Sequence, residues 1–154
     1  MISEWITPEA VFFHLQGPLG EVVPRLGQAS ARDTPGLPSL DELWAGDEKS
    51  VLIPAPSMAI PHFQVPGLDK PFIAVGLSRK GVSFKKSRIH LIVLLLSPEA
   101  DTSGHLKRLQ RLSALLPGLS GKLNRCRTPG EVIAILGRAE QESGRPSFLN
   151  LSQD

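Results

Sequence analysis

The sequence of 154 residues has one cysteine, no tyrosine and an aromatic content of only 5%. A single thiol, Cys126, excludes an internal disulfide framework and is typical of a reducing compartment. The longest apolar run, Leu91 to Leu96, is far shorter than the roughly 20 residues that span a bilayer. The first residues lack the basic and apolar segments of a signal peptide. We therefore expect a cytoplasmic protein without membrane insertion.

Charge is scarce as well. The net charge of +2 is too small to indicate nucleic-acid binding, although the pI of 8.9 is mildly basic. Four histidines and the lone cysteine are scattered without the spacing of metal ligands, so we predict neither a metal nor a cofactor. A hydrophobic content of 41% over this length is typical of one soluble domain with a proper core.

Before residue 50 the pattern favours helices. Thr7-Pro8-Glu9 is typical of a helix start, and the apolar residues that follow it are Val11, Phe12 and Leu15. A second helix is predicted over 19–26 and a loop over 27–38. A capping box at 39–42 predicts a third helix, which runs through Trp44.

The middle of the chain favours strands. The predicted segments are 51–53, 58–60 continuing into His62, 72–78, 82–84 after a turn at Lys80-Gly81, and 89–96. Pro61 holds Ile60 in an extended conformation, so the chain reaches His62 on a stiff backbone. The last segment is almost entirely apolar, which indicates a strand covered on both faces.

Helices return after the last strand. One is predicted from His105 to Leu116, with an apolar face formed by Leu106, Leu109, Leu112, Leu115 and Leu116. A short helix through 119–123 and a final helix over 132–136, opened by the capping box Thr128-Pro129-Gly130-Glu131, complete the pattern. The sequence thus predicts one α/β domain over 1–140, in which helices cover both faces of a mixed central sheet, and a tail or linker over 141–154.

The order of several motifs resembles a known family. Ala59-Ile60-Pro61-His62, the strand over 89–96 and Ser97-Pro98-Glu99 followed by His105-Leu106-Lys107-Arg108-Leu109 resemble the enzyme IIA domain of the fructose/mannitol/nitrogen-regulatory class. This domain belongs to the bacterial phosphoenolpyruvate-dependent phosphotransferase system. The resemblance extends from about residue 5 to residue 137 and is strongest over 58–136. It implies a mixed sheet sandwiched by helices, as the covered strand also indicates.

The resemblance implies a phosphohistidine site. In this family the histidine of the Ile-Pro-His motif accepts a phosphoryl group from the small histidine phosphocarrier protein, and His62 matches it. A second family histidine lies beside the first and steadies the phosphate, and His105 matches that one. Phosphoryl transfer needs alignment and neutralisation of charge, so the helix start at Ser103 is expected to offer its hydroxyl and nearby N–H groups to the phosphate.

The sequence departs from the family at a cation. The family usually carries an arginine sixteen residues before the active histidine, and Gly46 occupies that place here. An arginine that binds a phosphate through two N–H groups cannot be replaced by glycine without losing this contact. We expect either that another cation takes over, with Arg108 first and Lys49 second, or that the domain has lost rapid transfer.

Other polar features have simpler interpretations. His14 and His90 are expected to be structural. The basic cluster of Arg79, Lys80, Lys85, Lys86 and Arg88 is interpreted as a solvated hairpin, and the alternative is a docking patch for an acidic partner.

Two functions stay open at this point. The first is a IIA-like phosphotransfer or regulatory domain, phosphorylated by the phosphocarrier and acting on a IIB domain or a regulated protein. Since the chain carries neither a IIB nor a membrane domain, we expect nitrogen regulation or other signalling rather than dedicated sugar uptake. The second is a non-catalytic IIA-like module that regulates a partner by docking, which Gly46 favours.

Overall fold

A mixed sheet of five strands forms the centre of the computed structural model, which describes residues 2–31, 44 and 50–143. The strands are β1 (Val11–Phe12), β2 (Val51–Leu52), β3 (Met58–Val65), β4 (Phe72–Phe84) and β5 (Ser87–Pro98). Their order across the sheet is β1-β4-β5-β3-β2. β1 pairs with β4, and β3 with β5, in parallel, whereas the β4–β5 and β2–β3 pairs are antiparallel.

Helices cover both faces of this sheet. They are α1 (Leu19–Ala31), α2 (Thr102–Leu115), α3 (Ser120–Asn124) and α4 (Pro129–Ser143), with 3₁₀ turns at Ile2–Trp5, Pro8–Ala10 and Leu116–Gly118. β5 alternates between two apolar cores: Ile92, Leu94 and Leu96 pack on the α1 side, and Leu91, Val93 and Leu95 pack on the side of α2–α4. The predicted single α/β domain with a doubly covered sheet is confirmed. Within the described ranges, no helix is long and apolar enough to cross a membrane.

The predicted first helix is wrong. Pro8–Ala10 makes only a 3₁₀ turn, the Thr7 side chain makes no capping hydrogen bond, and β1 follows directly. Val11 belongs to the core on one side of the sheet and Leu15 to the core on the other. The apolar residues that suggested one face of a helix therefore lie on an extended segment. This segment crosses the edge of the sheet, where β1 forms hydrogen bonds with β4 in parallel.

The second helix is longer than predicted. α1 begins at Leu19 and buries Val22, Val23 and Leu26 as expected, but it continues to Ala31 through the beginning of the predicted loop. The rest of that loop and the capping box at 39–42 lie outside the described residues, and so does the third helix except for Trp44. Trp44 packs edge-on against Phe63 of β3, with ring centroids 6.0 Å apart.

The turn predicted at Lys80-Gly81 is a bulge within one long strand. β4 runs from Phe72 through Phe84, and its register against β5 shifts between Leu77 and Val82. Gly81 has a φ of +92°, which the missing side chain permits. The turn between β4 and β5 comes later, at Lys85 and Lys86. The basic cluster thus lies on the β4–β5 hairpin and next to its bulge.

The C-terminal helices confirm most of the pattern. Thr128 and Glu131 form the predicted capping box, in which the Glu131 N–H donates to Thr128 Oγ1 at 3.3 Å. α4 extends through Ser143, three residues into the predicted tail, and the remaining tail lies outside the described residues. Leu106 was assigned to the buried face of α2 but is 53% exposed. It follows the buried His105 by one residue, and the rotation of the helix between these two positions turns Leu106 toward solvent.

Candidate functional site

Parallel pairing of β3 and β5 brings the predicted site residues to one end of the sheet. His62 lies opposite Leu95, so the last residues of both strands meet at the same edge. After β5 the chain turns at 99–101 and returns as α2, which carries His105 in its first turn. Gln64 fastens this turn to β3, because its Nε2 donates to the Glu99 carbonyl and to Thr102 Oγ1, both at 3.0 Å.

His62 and His105 lie side by side, as the family resemblance implied. Nδ1 of His62 is 3.1 Å from Nε2 of His105, and the ring centroids are 5.2 Å apart. Nδ1 of His105 is 2.7 Å from the hydroxyl of the buried Ser97 on β5. His105 is only 5% exposed, whereas His62 is half-buried. The two rings and the hydroxyl form a hydrogen-bonded row that leaves Nε2 of His62 outside it.

Burial keeps both rings neutral at physiological pH. Desolvation lowers the pKa of His62 below its ordinary value. The pKa of His105 is lowered to about 4, first by desolvation and then by the nearby charges of His62 and Arg108, while Asp101 opposes the shift. A neutral imidazole has a lone pair on one nitrogen and a proton on the other. Each ring can therefore accept one hydrogen bond and donate another.

Asp101 organises the start of α2. It is the N-cap residue, and its Oδ1 accepts from the Gly104 N–H at 3.1 Å. Its Oδ2 accepts from Nη2 of Arg108, also at 3.1 Å. These contacts hold the pKa of the Asp101 carboxyl below its usual value, with the Arg108 hydrogen bond as the largest cause. The Gly104 N–H, which was expected to be available to a phosphate, is therefore occupied.

Arg108 is largely buried and lies near His105. Its side chain is 12% exposed, its guanidinium lies over the Trp5 ring at 5.5 Å, and its charge contributes to the lowered pKa of His105. Nε of Arg108 is buried, and no described residue accepts its hydrogen. Arg108 thus brings a cation near His105, but one end of its guanidinium already binds the Asp101 carboxylate.

Of the other predicted phosphate ligands, Ser103 lies within the described residues and Lys49 does not. Ser103 is exposed in the first turn of α2, and none of its described contacts joins it to His62 or His105. Lys49 and Gly46 lie outside the described residues. His14 is exposed and His90 bonds the Ser78 carbonyl at 2.8 Å, so neither joins the row. Across the ranges described, no three histidine, cysteine or acidic residues gather as metal ligands.

Sequence reasoning missed Ser97 and Asp101. An aspartate directly before an amphipathic pattern is a strong helix N-cap signal, so Asp101 could have been recognised. Ser97 gave no such signal, because its role depends on a ring eight residues further along the chain.

Comparison with known proteins identifies the family. Residues 25–139 match the family model described as phosphoenolpyruvate-dependent sugar phosphotransferase system, EIIA 2. The chain belongs to this family. The resemblance noted around His62 and His105 is thereby confirmed, and the family supports a phosphotransfer or regulatory role. No curated protein sequence matches the chain significantly.

Solved structures of EIIA proteins share the fold. The nitrogen regulatory protein IIA-Ntr from Neisseria meningitidis is 24% identical, with a TM-score of 0.75 over 88% of this chain and 98% of that one. The mannitol-specific cryptic phosphotransferase enzyme IIA CmtB from Escherichia coli is 20% identical, with a TM-score of 0.68 over 89% and 98%. A putative IIA domain from Streptococcus pyogenes is 22% identical, with a TM-score of 0.63 over 86% and 92%.

Proposed function

We propose that this EIIA domain accepts a phosphoryl group on Nε2 of His62 from the histidine phosphocarrier protein. The observation that carries the proposal is the contact between Nδ1 of His62 and Nε2 of His105 at 3.1 Å. It occupies one nitrogen of a half-exposed ring and leaves the other for chemistry. β3 holds the backbone of His62 in the sheet, which gives the nucleophile a fixed mount.

The reactive arrangement requires one direction of hydrogen bonding. Nδ1–H of His62 donates to Nε2 of His105, and Nδ1–H of His105 donates to the Ser97 hydroxyl. The lone pair on Nε2 of His62 then forms the new N–P bond, while the N–P bond of the phosphocarrier breaks and its nitrogen leaves with the electron pair. The lowered pKa of His105 supports this arrangement, because only a neutral His105 can accept from His62.

The new phosphoryl group brings almost two negative charges to the site. Arg108 is the described cation that supports their neutralisation, from beside His105. The start of α2 adds the positive end of a helix dipole, and Ser103 there remains a proposed phosphate ligand. Lys49 remains proposed as a second cation.

The acceptor is proposed to be a IIB domain or a regulated protein, in a cytoplasmic signalling role. This proposal is supported by the similar structure from Neisseria meningitidis, which is named a nitrogen regulatory protein. A transport role is the alternative within the same chemistry.

A second candidate is a docking module in which phosphorylation is slow or absent. It is favoured by one specific contact, the ion pair of Arg108 with Asp101 at 3.1 Å. That carboxylate competes with a phosphate for the guanidinium, and Gly46 stands where the family usually has an arginine.

The experiment is labelling with enzyme I, phosphocarrier and radioactive phosphoenolpyruvate. We expect an acid-labile and base-stable label on the wild-type protein, and none on His62→Ala. His105→Ala should still be labelled but should transfer the group poorly. His14→Asn is the matched control, because His14 is exposed, lies outside the row and has a φ of 60° that asparagine tolerates.

Label on His62→Ala would show that another residue is the acceptor. Wild-type protein that stays unlabelled while a known EIIA domain is labelled in the same mixture would favour the docking module.

A further inference from the structure

A second site is indicated by a cavity away from the two histidines. It has a volume of about 510 Å³ and lies among the middle of β4 beside its bulge, the first half of β5, the segment after β1 and the loop after α3. His90, which lines it, precedes the partner of His62 on β5 by five residues, or about 16 Å of extended strand. This volume is in the range of sites for small organic ligands.

The residues that line the cavity are apolar at its base and positively charged at its rim. Leu77 and Cys126 are buried, and Phe13 is half-buried. The exposed Arg79 and Arg127 also line the cavity. None of the described residues that line it is acidic, although the Glu131 carboxylate accepts from the Arg127 backbone N–H at 3.3 Å. Within the described part of the chain, neither guanidinium group has a hydrogen-bond or ion-pair partner. Two available guanidinium groups over an apolar base match a ligand with an oxyanion and an apolar body.

The cavity is held in shape by hydrogen bonds of its own. The Ser78 hydroxyl donates to the Leu15 carbonyl at 2.5 Å, and the Leu15 N–H donates to the Leu77 carbonyl at 3.2 Å. His90 donates from Nδ1 to the Ser78 carbonyl, which fixes the ring and leaves Nε2 as an acceptor when the ring is neutral. Binding would therefore need little rearrangement of these walls.

We propose that this cavity binds a small organic anion, whose phosphate or carboxylate contacts Arg79 and Arg127 and whose apolar body covers Phe13 and Leu77. The site is separate from His62 and does not depend on its phosphorylation.

The test is an amide NMR titration with three probes of similar body: 1-naphthyl phosphate, 1-naphthoate and uncharged 1-naphthol. We expect saturable shifts in residues 13–15, 77–79 and 124–127 with at least one anionic probe, and binding about tenfold weaker or worse for naphthol. The tighter of the two anions identifies the preferred group. Arg79→Ala and Arg127→Ala should each weaken that binding about five- to tenfold. Arg138→Ala, an exposed arginine on α4 outside the cavity, should bind like wild type.

Three results would overturn the proposal. The first is no saturable shift in these residues with either anion up to about 10 mM, a concentration at which even a millimolar site would be filled. The second is naphthol binding as tightly as the anions, and the third is unchanged affinity in both cavity variants. The amide spectra of the variants show at once whether each one is folded, and shifts confined to residues near His62 would count as a negative result.

Discussion

At the scale of single residues, Arg108 already has an anionic partner in Asp101. In the unphosphorylated protein it binds the Asp101 carboxylate, and a phosphoryl group on His62 would compete for the same guanidinium. The contact with Trp5 and the burial of Arg108 limit how far its side chain can move. The guanidinium therefore has to choose between the carboxylate and the phosphate with only a small displacement.

Replacing Arg108 tests whether it serves as the cation. We expect Arg108→Ala to slow phosphorylation of His62 roughly ten- to a hundredfold, because a charge-assisted contact at the transition state is lost. Arg111→Ala is the matched control on the same helix, since Arg111 pairs with Glu140 instead. The measurement is a labelling time course. An Arg108→Ala rate equal to wild type would leave Lys49 as the remaining proposed cation, which Lys49→Ala and Gly46→Arg would then examine.

Asp101→Asn is expected to act in the opposite direction. Asparagine can still cap α2, but it no longer holds the guanidinium by charge or repels the incoming phosphate. Labelling should therefore become faster in the same time course. A slower Asp101→Asn would mean that Asp101 positions Arg108 for catalysis rather than restraining it.

The resemblance to the family predicted His62 and His105, because both histidines match positions in its motifs. Ser97 and the ion pair of Asp101 with Arg108 could not be obtained that way. Ser97 and His105 become neighbours only after α2 has packed against β5, and Asp101 meets Arg108 only after two turns of α2 have formed.

At the scale of elements, the first turn of α2 depends on a glycine. A Cβ atom at Gly104 would overlap the Asp101 carboxylate, so that side chain would have to turn away from its cap and from Arg108. Gly104→Ala therefore loses the stabilising N-cap and ion pair of Asp101, and it gains the better helix propensity of alanine.

We expect Gly104→Ala to lower the melting temperature by about 1–4 °C, since the lost cap outweighs the gain in propensity. In an Asp101→Ala background the same substitution meets no carboxylate and should raise the melting temperature. Gly121→Ala in α3 is the control, because a Cβ there meets open space. Calorimetry of wild type, Gly104→Ala, Asp101→Ala and the double variant measures the coupling between Gly104 and Asp101. Equal effects of Gly104→Ala in both backgrounds would refute the role of the cap.

The elements also show where local patterns are sufficient. β5 was predictable because its apolar run has one explanation, whereas the residues of β1 fitted a helical stripe equally well. The choice of a strand over a helix depends on β4, which lies more than sixty residues later and pairs with β1. The bulge in β4 has the same origin, because glycine after two basic residues looks like a turn until the pairing with β5 is seen.

At the scale of the whole molecule, the buried His105 couples stability to pH. Its folded pKa of about 4 lies below its ordinary value of 6.5, so between these pH values the unfolded chain binds a proton that the folded one does not. The contribution of His105 to stability is therefore fully present above pH 6.5 and is lost as the pH drops toward 4. The lowered pKa of His62 acts in the same direction.

From pH 7 to pH 5 we expect His105 to remove up to about 2 kcal/mol from the free energy of unfolding. Urea unfolding at the two pH values measures this loss, and His105→Asn should reduce it because asparagine does not titrate. The exposed His14, replaced by asparagine, serves as the control and should retain the full loss. If His105→Asn shows the same pH dependence as wild type, other groups produce it.

The two outermost strands, β1 and β2, are paired over only two residues each. Outer strands this short offer little backbone to which another chain could add a strand beyond β1 or β2. They also limit the ways in which a partner can attach. A protein that exchanges a phosphoryl group with His62 is thus expected to dock by fitting its side chains around the histidine end of the sheet, and to release without breaking a shared ladder.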